Sequence, residues 1–559
     1  MGENGALREA MIRTRSGLHL RLRFLGSGPA VVLLHESPRS SHALLPLAER
    51  IADRFTCVMF DSPGFGLSDP LPMRRPEIPD FAEALLEAFE PLGLGPVPVY
   101  GTHTGAAVAA AMAVADPERV SAAVLDGYAA FTPAEQAELL ASYLPPFRPA
   151  LDGTHVAWLW ARVRDQFTAF PWNRVSDGSR LPFGPPPLGF VQAVAEDFLR
   201  AGDHYRTGYA AAFRYDHLEP LRRARVPVRL ACREDDLLFP HMDRAKGAGA
   251  TTTLHPMSAD RDAWGRGIGD LLGAHVGAER TDAAAMAARA GAAAGARQRI
   301  DTPAGAAQAG FEGPKAGAPV VLLHEVPGNS DDLDGLSARL ARRGRRVLRL
   351  DLPGSGHSRL APEAPATVET VVRGTAAALS ALGMEGAPVV AHGAALAVAL
   401  RLPGAPRVLA LDPWPAVAEG AAEAVPDLAP RWDAAHLTAA WWWARDHEVY
   451  KPFTHRVNAE GRSVGPERDA ERIHNRFRAV VLGGESGADV AKALYRADLA
   501  GPLAAAKGRA EALLHDCDPD FDALRAWADG VLGADRVHSS PREPVALAEA
   551  VDAALGRLG

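Results

Sequence analysis

The stretch that most constrains the fold of this chain runs from Val97 to Met112 and reads VPVYGTHTGAAVAAAM. An apolar run enters it and an alanine-rich run with helical character leaves it, so it predicts a strand that turns directly into a helix. The turn is Gly101-Thr-His-Thr-Gly105, and its glycines allow a strained bend. The side chain at the apex, His103, is therefore predicted to stand above the end of the strand.

Length, charge and cysteine content limit what the chain can be. It has 559 residues, 47% of them hydrophobic, which is enough for two sizeable cores. The net charge is −8 with acidic and basic residues interspersed, so no nucleic-acid partner is expected. Cys57, Cys232 and Cys517 lie far apart, which excludes a disulfide framework and a Cys-x-x-Cys zinc site. No cofactor and no metal are expected.

The amino terminus has no feature of a targeting segment. Its first ten residues contain no apolar core for a signal peptide and lack the Ser or Thr that an N-myristoylation motif needs. No apolar segment approaches the length that spans a bilayer. A cytoplasmic protein without a membrane partner is therefore expected.

The chain repeats its own motifs in two halves. The sequence VVLLHESPRSS at 31–41 returns as VVLLHEVPGNS at 320–330, and DSPGFGLS at 61–68 returns as DLPGSGHS at 351–358. A later block also returns with identical spacing. Its members are Asp152, His155 and Trp160 in the first copy and Asp433, His436 and Trp441 in the second. The repetition predicts two tandem domains of one fold that pack on each other as an intrachain pseudo-dimer.

Each copy alternates strands with helices and is interrupted, after Asp126 or Asp412, by a long segment rich in Trp, Pro and Arg. We therefore predict an α/β fold with two mostly parallel sheets, each flanked by helices and carrying a helical cap insertion. The predicted ranges are 1–272 with a cap at about 130–215, an Ala/Gly-rich linker at 273–296, and 297–559 with a cap at about 415–495.

These motifs, in this order, resemble those of α/β-hydrolase-fold proteins. The shared elements are a His-x-x-Pro oxyanion segment, an Asp-x-Pro-Gly-x-Gly-x-Ser strand end and a turn with the frame Gly-x-Ser-x-Gly, the nucleophile elbow. The resemblance covers nearly the whole chain. In the family a serine at the elbow is the nucleophile, an acid follows a later strand, and a histidine near the C-terminus is the base. Here the elbow residue is His103 in the first copy and Gly393 in the second.

The resemblance implies Asp236 as the acid of the first copy, with Asp126, after an earlier strand, as the alternative. The usual base loop contains Asp260-Arg-Asp262 where a histidine is expected, and His255 falls on the preceding strand. A normal serine triad is therefore absent from the first copy.

The second copy keeps Asp518 at the acid position and has His538 in parallel with His255. Because this chemistry requires a nucleophile at the elbow, the copy with Gly393 is predicted to be a degenerate, structural partner of the first.

His103 itself suits proton transfer, because an imidazole is a general base near neutral pH when a carboxylate orients it. The leading interpretation is a cofactor-independent enzyme that hydrolyses an ester, lactone or similar bond in a small, partly apolar substrate, with His103 as general base. One alternative is a lyase or isomerase that uses His103 for proton transfer. Another is a noncatalytic binding protein in which His103 only fills the turn.

Three further residues are candidates for the catalytic site. His35-Glu36 replaces the usual His-Gly of the oxyanion segment, so Glu36 is either a second acid or base or the cap of a turn. His155 could reach the cleft from the cap, although a structural hydrogen-bonded network better explains its return in the second copy. Metal binding by His35, His103 and His155 lacks the usual ligand spacing.

Overall fold

The computed structural model describes residues 5–174, 176–182, 184–413, 420–451, 462–463, 469–516, 518 and 520–558. Cys517 and part of the cap predicted at about 415–495 lie outside these residues. The chain divides into two compact units. The first comprises Met1–Arg148 and Ala161–Gln298, and the second comprises Pro149–Trp160 and Arg299–Gly559.

The first unit is built on an eight-stranded sheet. Its strands are β1 (Arg8–Arg13), β2 (His19–Leu25), β3 (Ala30–Leu34), β4 (Thr56–Phe60), β5 (Val97–Thr102), β6 (Val120–Asp126), β7 (Val228–Arg233) and β8 (Thr252–Met257). They lie in the order β1-β2-β4-β3-β5-β6-β7-β8. Only the pairs β1·β2 and β2·β4 are antiparallel among these strands. Strands β3 and β4 are buried almost throughout, as expected for parallel strands covered on both faces.

Helices lie between the strands of this sheet and after its last strand. Those outside the long β6–β7 connection are α1 (Leu45–Ile51), α2 (Ile78–Leu86), α3 (Phe89–Leu92), α4 (Thr104–Ala115), α10 (His241–Ala245), α11 (Arg261–Gly273) and α12 (Ala283–Ala292). Those between β6 and β7 are α5 (Pro133–Ser142), α6 (Thr154–Asp165), α7 (Leu188–Ala201), α8 (Tyr205–Arg214) and α9 (Glu219–Arg223). The arrangement of the second group as a cap stays a prediction.

Helix α4 determines where the His103 turn lies. Residues 105–113 of this helix are all buried, and most of them are alanine. A helix that is apolar on every side is a core helix, and small side chains let it lie close to the strands beside it. Its first turn is thereby held against the carboxyl ends of the strands.

Residues 273–296, predicted as a linker, contain helix α12. Its Ala283, Met286 and Ala290 are buried, and the backbone of the following Ala293 accepts a 2.8 Å hydrogen bond from the amide of Arg13. This segment belongs to the first compact unit. An alanine-rich run thus packs through its small apolar face.

A second eight-stranded sheet has the same strand order. Its strands are β9 (Arg297–Thr302), β10 (Gly305–Glu312), β11 (Ala318–Leu323), β12 (Arg345–Leu350), β13 (Val389–His392), β14 (Val408–Leu411), β15 (Ala510–His515) and β16 (Val537–Ser540). They lie in the order β9-β10-β12-β11-β13-β14-β15-β16. Strand β10 pairs antiparallel with β12, and the pairs from β12 to β16 are parallel. The predicted α/β class with two mostly parallel sheets is confirmed.

Helices also flank the second sheet. They are α13 (Asp334–Arg342), α14 (Val368–Ala381), α15 (Leu396–Ala399), α16 (Ala421–Ala424), α17 (Ala435–Val449), α18 (Ala470–Tyr495), α19 (Ala500–Ala505), α20 (Phe521–Leu532) and α21 (Pro544–Leu558). Helix α18 is interrupted at Gly484, whose φ of 63° is not helical. The described residues also form two short antiparallel ladders, Ser27–Gly28 with Thr281–Asp282 and Tyr450–Lys451 with Arg462–Ser463. Over the part of the chain that the structure describes, no helix is both long and apolar enough to cross a bilayer.

Candidate active site

The turn between β5 and α4 has the strained geometry that its glycines predicted. His103 adopts φ 48° and ψ −109°, a conformation that a residue with a side chain rarely takes. A Cβ atom on Gly101 would collide with the backbone of Gly105. A Cβ atom on Gly105 would lie 2.5 Å from the carbonyl oxygen of Leu34. Both glycines are therefore required for the chain to make this bend.

At the apex, the His103 imidazole reaches the acid that follows β7. Its Nε2 atom lies 3.0 Å from Oδ2 of Asp236, and Oδ1 of Asp236 accepts a 2.9 Å hydrogen bond from the amide of Leu238. The Asp236 side chain is 12% exposed and the His103 side chain 32% exposed, so the bond is largely shielded while the ring stays accessible.

Gly127 makes this contact possible. It follows β6 with φ +62°, and a Cβ atom there would lie 2.5 Å from Cδ2 and 2.7 Å from Nε2 of His103. Sequence reasoning missed this residue. The only signal was a glycine directly after the end of a strand, which is common to many turns.

The bond between His103 and Asp236 changes the protonation of both side chains. Burial alone would lower the pKa of His103, but the charge and hydrogen bond of Asp236, with further charges from Glu36 and Asp126, raise it to about 9. Burial would likewise raise the pKa of Asp236, but the His103 imidazolium holds it well below its usual range. The two side chains therefore form an ion pair at neutral pH.

Asp126, the alternative acid, has other partners. Its Oδ2 atom accepts hydrogen bonds from the Tyr100 hydroxyl at 2.9 Å and from Nε1 of Trp264 at 2.8 Å. Burial raises the pKa of this carboxyl group. Its contact with His103 is through the backbone, where its carbonyl oxygen accepts from the His103 amide at 2.9 Å. Asp236 is therefore the carboxylate that orients the His103 ring.

His35 uses both ring nitrogens in backbone hydrogen bonds. Its Nε2 atom accepts from the amide of Ser62 at 3.0 Å, so its Nδ1 carries the proton that it donates to the carbonyl oxygen of Glu36 at 2.8 Å. In the second unit His324 makes the same two bonds, with Leu352 and Glu325. The position of His35 is thus explained by the backbone that it joins.

The Asp and Ser side chains of the Asp-x-Pro-Gly-x-Gly-x-Ser motif also form hydrogen bonds with the backbone. The buried Asp61 carboxylate accepts from the amides of Ser41 and Leu67, at 2.8 and 2.9 Å. The Ser68 hydroxyl donates to the Asp61 carbonyl oxygen at 2.7 Å. In the second unit the Asp351 carboxylate accepts from the amide of Ser330 in the same way. These residues hold the strand ends around the site.

A cavity of about 270 Å³ lies beside His103 within the first unit. Polar residues of its lining include Glu36, Ser37, Arg39, His103 and Thr104. The aromatic side chains of its lining are Phe131, Tyr143, Phe167, Phe170, Phe190, Tyr209 and Phe213. Such a lining accepts a small molecule with an apolar or aromatic body.

The polar residues of this lining supply both charge and a backbone donor. Glu36 Oε1 lies 3.7 Å from Nη1 of Arg39, and Nε of Arg39 lies 3.0 Å from the buried Asp197. Thr104 begins helix α4, so its N–H has no acceptor within that helix. Ser37 follows Glu36 in the loop after β3 and lines the cavity together with Thr104.

In the second unit a carboxylate fills the corresponding place. Gly393 has φ 55°, and a Cβ atom there would collide with the Glu325 carboxylate. That carboxylate accepts from the amide of Ala394 at 3.2 Å and from the amide of Val326 at 2.8 Å. The backbone donors of this elbow are therefore already engaged by the protein itself.

Asp518 and His538, which stand at the acid position of the second copy and in parallel with His255, also have polar partners. Oδ1 of Asp518 lies 2.7 Å from the Arg542 guanidinium. His538 lies 2.9 Å from Glu511, at the second sheet. In the first unit, Nε2 of His255 lies 2.7 Å from the Thr253 hydroxyl on β8.

His155 lies in the second unit, among residues 149–160. Its Nδ1 atom accepts from the amide of Ala150 at 3.2 Å, and its Nε2 lies 3.1 Å from Nδ1 of His474. The ring packs edge-on against Trp441 with centroids 4.6 Å apart. Burial lowers the pKa of His155 to about 4. It is not among the residues that line the cavity of the first unit.

The repeated block that contains His155 packs reciprocally. His436, its counterpart, accepts from the amide of Arg431 at 3.2 Å and lies edge-on to Trp160 with centroids 5.2 Å apart. Each histidine thus packs against the tryptophan of the other copy. No cluster of three or more His, Cys, Asp or Glu side chains suited to a metal occurs among the described residues.

Residues 29–246 match the protein family described as alpha/beta hydrolase fold, and this part of the chain has that fold. Over 121 residues the chain is 32% identical to a 2-(acetamidomethylene)succinate hydrolase of Mesorhizobium japonicum, covering 22% of this chain and 42% of the relative. Over 110 residues it is 34% identical to a haloalkane dehalogenase 2 of Mycobacterium tuberculosis, covering 20% of this chain and 38% of the relative. The chain spans about two fifths of the length of these curated relatives.

Solved structures are similar at lower identity. Epoxide hydrolase A from Mycobacterium thermoresistibile is 16% identical, with a TM-score of 0.39 over 49% of this chain and 100% of that chain. An enol-lactonase from Burkholderia xenovorans is 17% identical, with a TM-score of 0.38 over 47% of this chain and 99% of that chain.

Proposed function

We propose that the first unit is a cofactor-independent hydrolase that cleaves an ester, lactone or similar bond in a small, largely apolar substrate, with His103 as general base. The observation that carries this proposal is the 3.0 Å contact between His103 and Asp236. In the family a serine stands at the elbow and a separate histidine connects it to the acid. Here the imidazole stands at the elbow and contacts the acid directly.

The chemistry follows from which ring nitrogen is engaged. Asp236 holds Nε2, so Nδ1 is the atom through which His103 acts on a molecule in the cavity. Neutral His103 takes a proton from water at Nδ1 as the water oxygen attacks the substrate carbonyl carbon, and Asp236 stabilises the imidazolium that forms. We expect the amides of Thr104 and Ser37, at the two positions that form the oxyanion hole in α/β hydrolases, to stabilise the oxyanion. The imidazolium then returns its proton to the leaving oxygen.

A second candidate is proton transfer to or from carbon, in a lyase or isomerase. The observation that favours it is the pKa of about 9, because His103 is then an imidazolium at neutral pH and a competent acid. Glu36 lines the same cavity and would be the matching base. The names of the curated relatives, two of which are a hydrolase and a dehalogenase, favour hydrolysis over this alternative.

For the second unit we propose a noncatalytic role, as a structural partner of the first. It has Gly393 at its elbow, and the Glu325 carboxylate engages the amides that a reacting oxyanion would need. Activity is then expected only at the cavity beside His103.

The test begins with a screen of the full chain against a metabolite pool, with mass-spectrometric detection of products. With the substrate found, His103→Ala should abolish turnover, whereas the matched variant His255→Gln, on β8, should keep it. Turnover should resist serine-directed fluorophosphonates and rise with pH toward about 9, as the base form of His103 accumulates. Oxygen-18 from water should enter the product. Full turnover in His103→Ala would overturn both enzymatic proposals, and a product without the label would favour the lyase.

A further inference from the structure

A buried arginine without a carboxylate partner lies next to the cavity of the first unit. Arg162, on α6, is 1% exposed. Its Nη1 atom donates to Oε1 of Gln166 at 3.1 Å. Its Nε and Nη2 atoms are also buried, and no acceptor among the described residues lies within hydrogen-bonding distance of them.

The surroundings of this guanidinium are aromatic. Its central carbon lies 5.0 Å from the centre of the Tyr143 ring and 4.6 Å from that of Trp172. Aromatic faces attract a cation but offset only part of the cost of removing it from water. An arginine does not lose its proton in a protein, so the charge remains. A buried positive charge in this position is suited to an anion that the protein itself does not supply.

Gln166 contacts both Arg162 and the cavity. Arg162 can only donate hydrogen bonds, so the amide oxygen of Gln166 must face it and the amide NH₂ group must point elsewhere. Gln166 and Tyr143 both line the cavity. A Gln166 side chain whose amide oxygen is held by Arg162 therefore borders the cavity.

The arginine that lines this cavity, Arg39, is already compensated, as His103 is by Asp236. Arg39 lies between the Asp197 carboxylate at 3.0 Å and the Glu36 carboxylate at 3.7 Å. Arg162 has no ion pair with a described residue, so its charge, unlike that of Arg39, is not balanced by one of their carboxylates.

We propose that Arg162 and Gln166 form a carboxylate subsite, and that the natural substrate is a small aromatic or apolar carboxylic acid. The Gln166 amide donates to the carboxylate, and Arg162 supplies the opposite charge. This inference rests on the proposed function of the cavity, because it names the class of molecule on which His103 acts. It adds a recognition element from α6 to a site otherwise built at the strand ends.

The test is equilibrium binding of 3-phenylpropanoate and its neutral amide, 3-phenylpropanamide, to the full-length chain by calorimetry. Wild type should bind the carboxylate at least about tenfold more tightly than the amide. Arg162→Met, which keeps the side-chain length but removes the charge, should abolish this preference. Equal affinity of wild type for both molecules, or an undiminished preference in Arg162→Met, would overturn the proposal.

Gln166→Glu separates recognition from folding. The new carboxylate would pair with Arg162 inside the protein, so the variant should lose the preference while its melting temperature stays the same or rises. The matched control is Gln136→Glu, because Gln136 lies on α5, bonds to the backbone of Tyr215 and does not line the cavity. It should keep the preference, and loss in both variants would overturn the subsite.

His103→Ala distinguishes this inference from the proposed function. It should abolish turnover but retain the carboxylate preference, because the subsite does not involve the imidazole. If the preference disappears in His103→Ala and survives in Arg162→Met, the carboxylate is bound by His103 and the subsite is wrong. If His103→Ala keeps full turnover while Arg162→Met loses the preference, the subsite stands and the catalytic proposal falls.

Discussion

The Nε2 atom of His103 lies 3.0 Å from Oδ2 of Asp236, and this contact joins the apex of the β5–α4 turn to the loop after β7. It couples the two titrations, because each charge favours ionisation of the other group. It also sets the orientation of the ring, since one nitrogen is held by the carboxylate. Stability and protonation at this site therefore depend on the same pair of residues.

The first prediction concerns stability and pH. The pKa of His103 is raised in the folded protein to about 9, so the stability it adds is complete below its unfolded value of about 6.5 and is lost as pH rises through 9. The pKa of Asp236 is depressed, so its contribution is present above about pH 4 and is lost as pH falls. Asp236→Asn should therefore lower the free energy of unfolding clearly at pH 7 and much less at pH 10.5, as measured by urea denaturation.

The control for this experiment is Asp262→Asn. Asp262 pairs with Arg50 at 2.9 Å at an exposed site, so its loss should be small and nearly the same at both pH values. An equal loss of stability at pH 7 and 10.5 for Asp236→Asn would show that the ion pair with His103 does not form as described.

The second prediction concerns Gly127. In Gly127→Ala the new methyl group would meet the His103 ring, so the ring should rotate away from Asp236, and the pKa of His103 should fall toward its ordinary value. The backbone has φ +62°, and an alanine in such a conformation costs about 1–2 kcal/mol. NMR titration of the His103 ring in ¹⁵N-labelled protein, assigned with His103→Gln, measures the change.

Gly247→Ala is the matched control for this substitution. Gly247 has a similar φ of +73°, but a Cβ atom there would have no neighbour within 4 Å. Gly127→Ala should lose more stability than Gly247→Ala at pH 7, because it also breaks the ion pair with Asp236, and only Gly127→Ala should alter the titration of His103. A His103 pKa that stays near 9 in Gly127→Ala would argue against this account.

The motifs predicted the backbone of the site well. The alternation of apolar runs and glycines located β5, α4 and the His103 turn, because these depend on local chemistry within a few residues. The acid could not be chosen in the same way. The Asp126 carboxylate is hydrogen-bonded to Tyr100, 26 residues away in the sequence, and to Trp264, 138 residues away. A local sequence pattern cannot predict contacts over such separations.

The sequence alone could not assign the role of each histidine either. His35 stands in a motif that suggests chemistry, yet both of its ring nitrogens bond to backbone, and only the fold reveals the Ser62 amide beside it. The return of His155 in the second copy did favour a structural network, and His155 is bonded to His474, 319 residues away. Repetition was informative because a network that holds the backbone is kept in both copies.

The third prediction concerns the second elbow. Gly393→Ser would place a side chain where the Glu325 carboxylate lies, so the variant should be strongly destabilised or fail to fold. Combining it with Glu325→Gly removes the collision and should restore part of the stability. Thermal unfolding of the single and double variants measures this coupling, and additive effects would contradict the close approach of Glu325 to residue 393.

The last prediction concerns His103→Ser, which restores the residue that the family has at the elbow. A serine hydroxyl stays protonated near neutral pH and needs a base beside it. His255 is engaged with Thr253 on β8, and Asp260 caps α11 by accepting from the amide of Ala263 at 2.8 Å. The variant should therefore lose native activity and gain no more than trace turnover of p-nitrophenyl acetate relative to His103→Ala. Fluorophosphonate labelling is the direct measurement, because only an activated serine reacts quickly. Rapid labelling of the introduced serine would contradict this prediction, since it would show that a base reaches the elbow without His103.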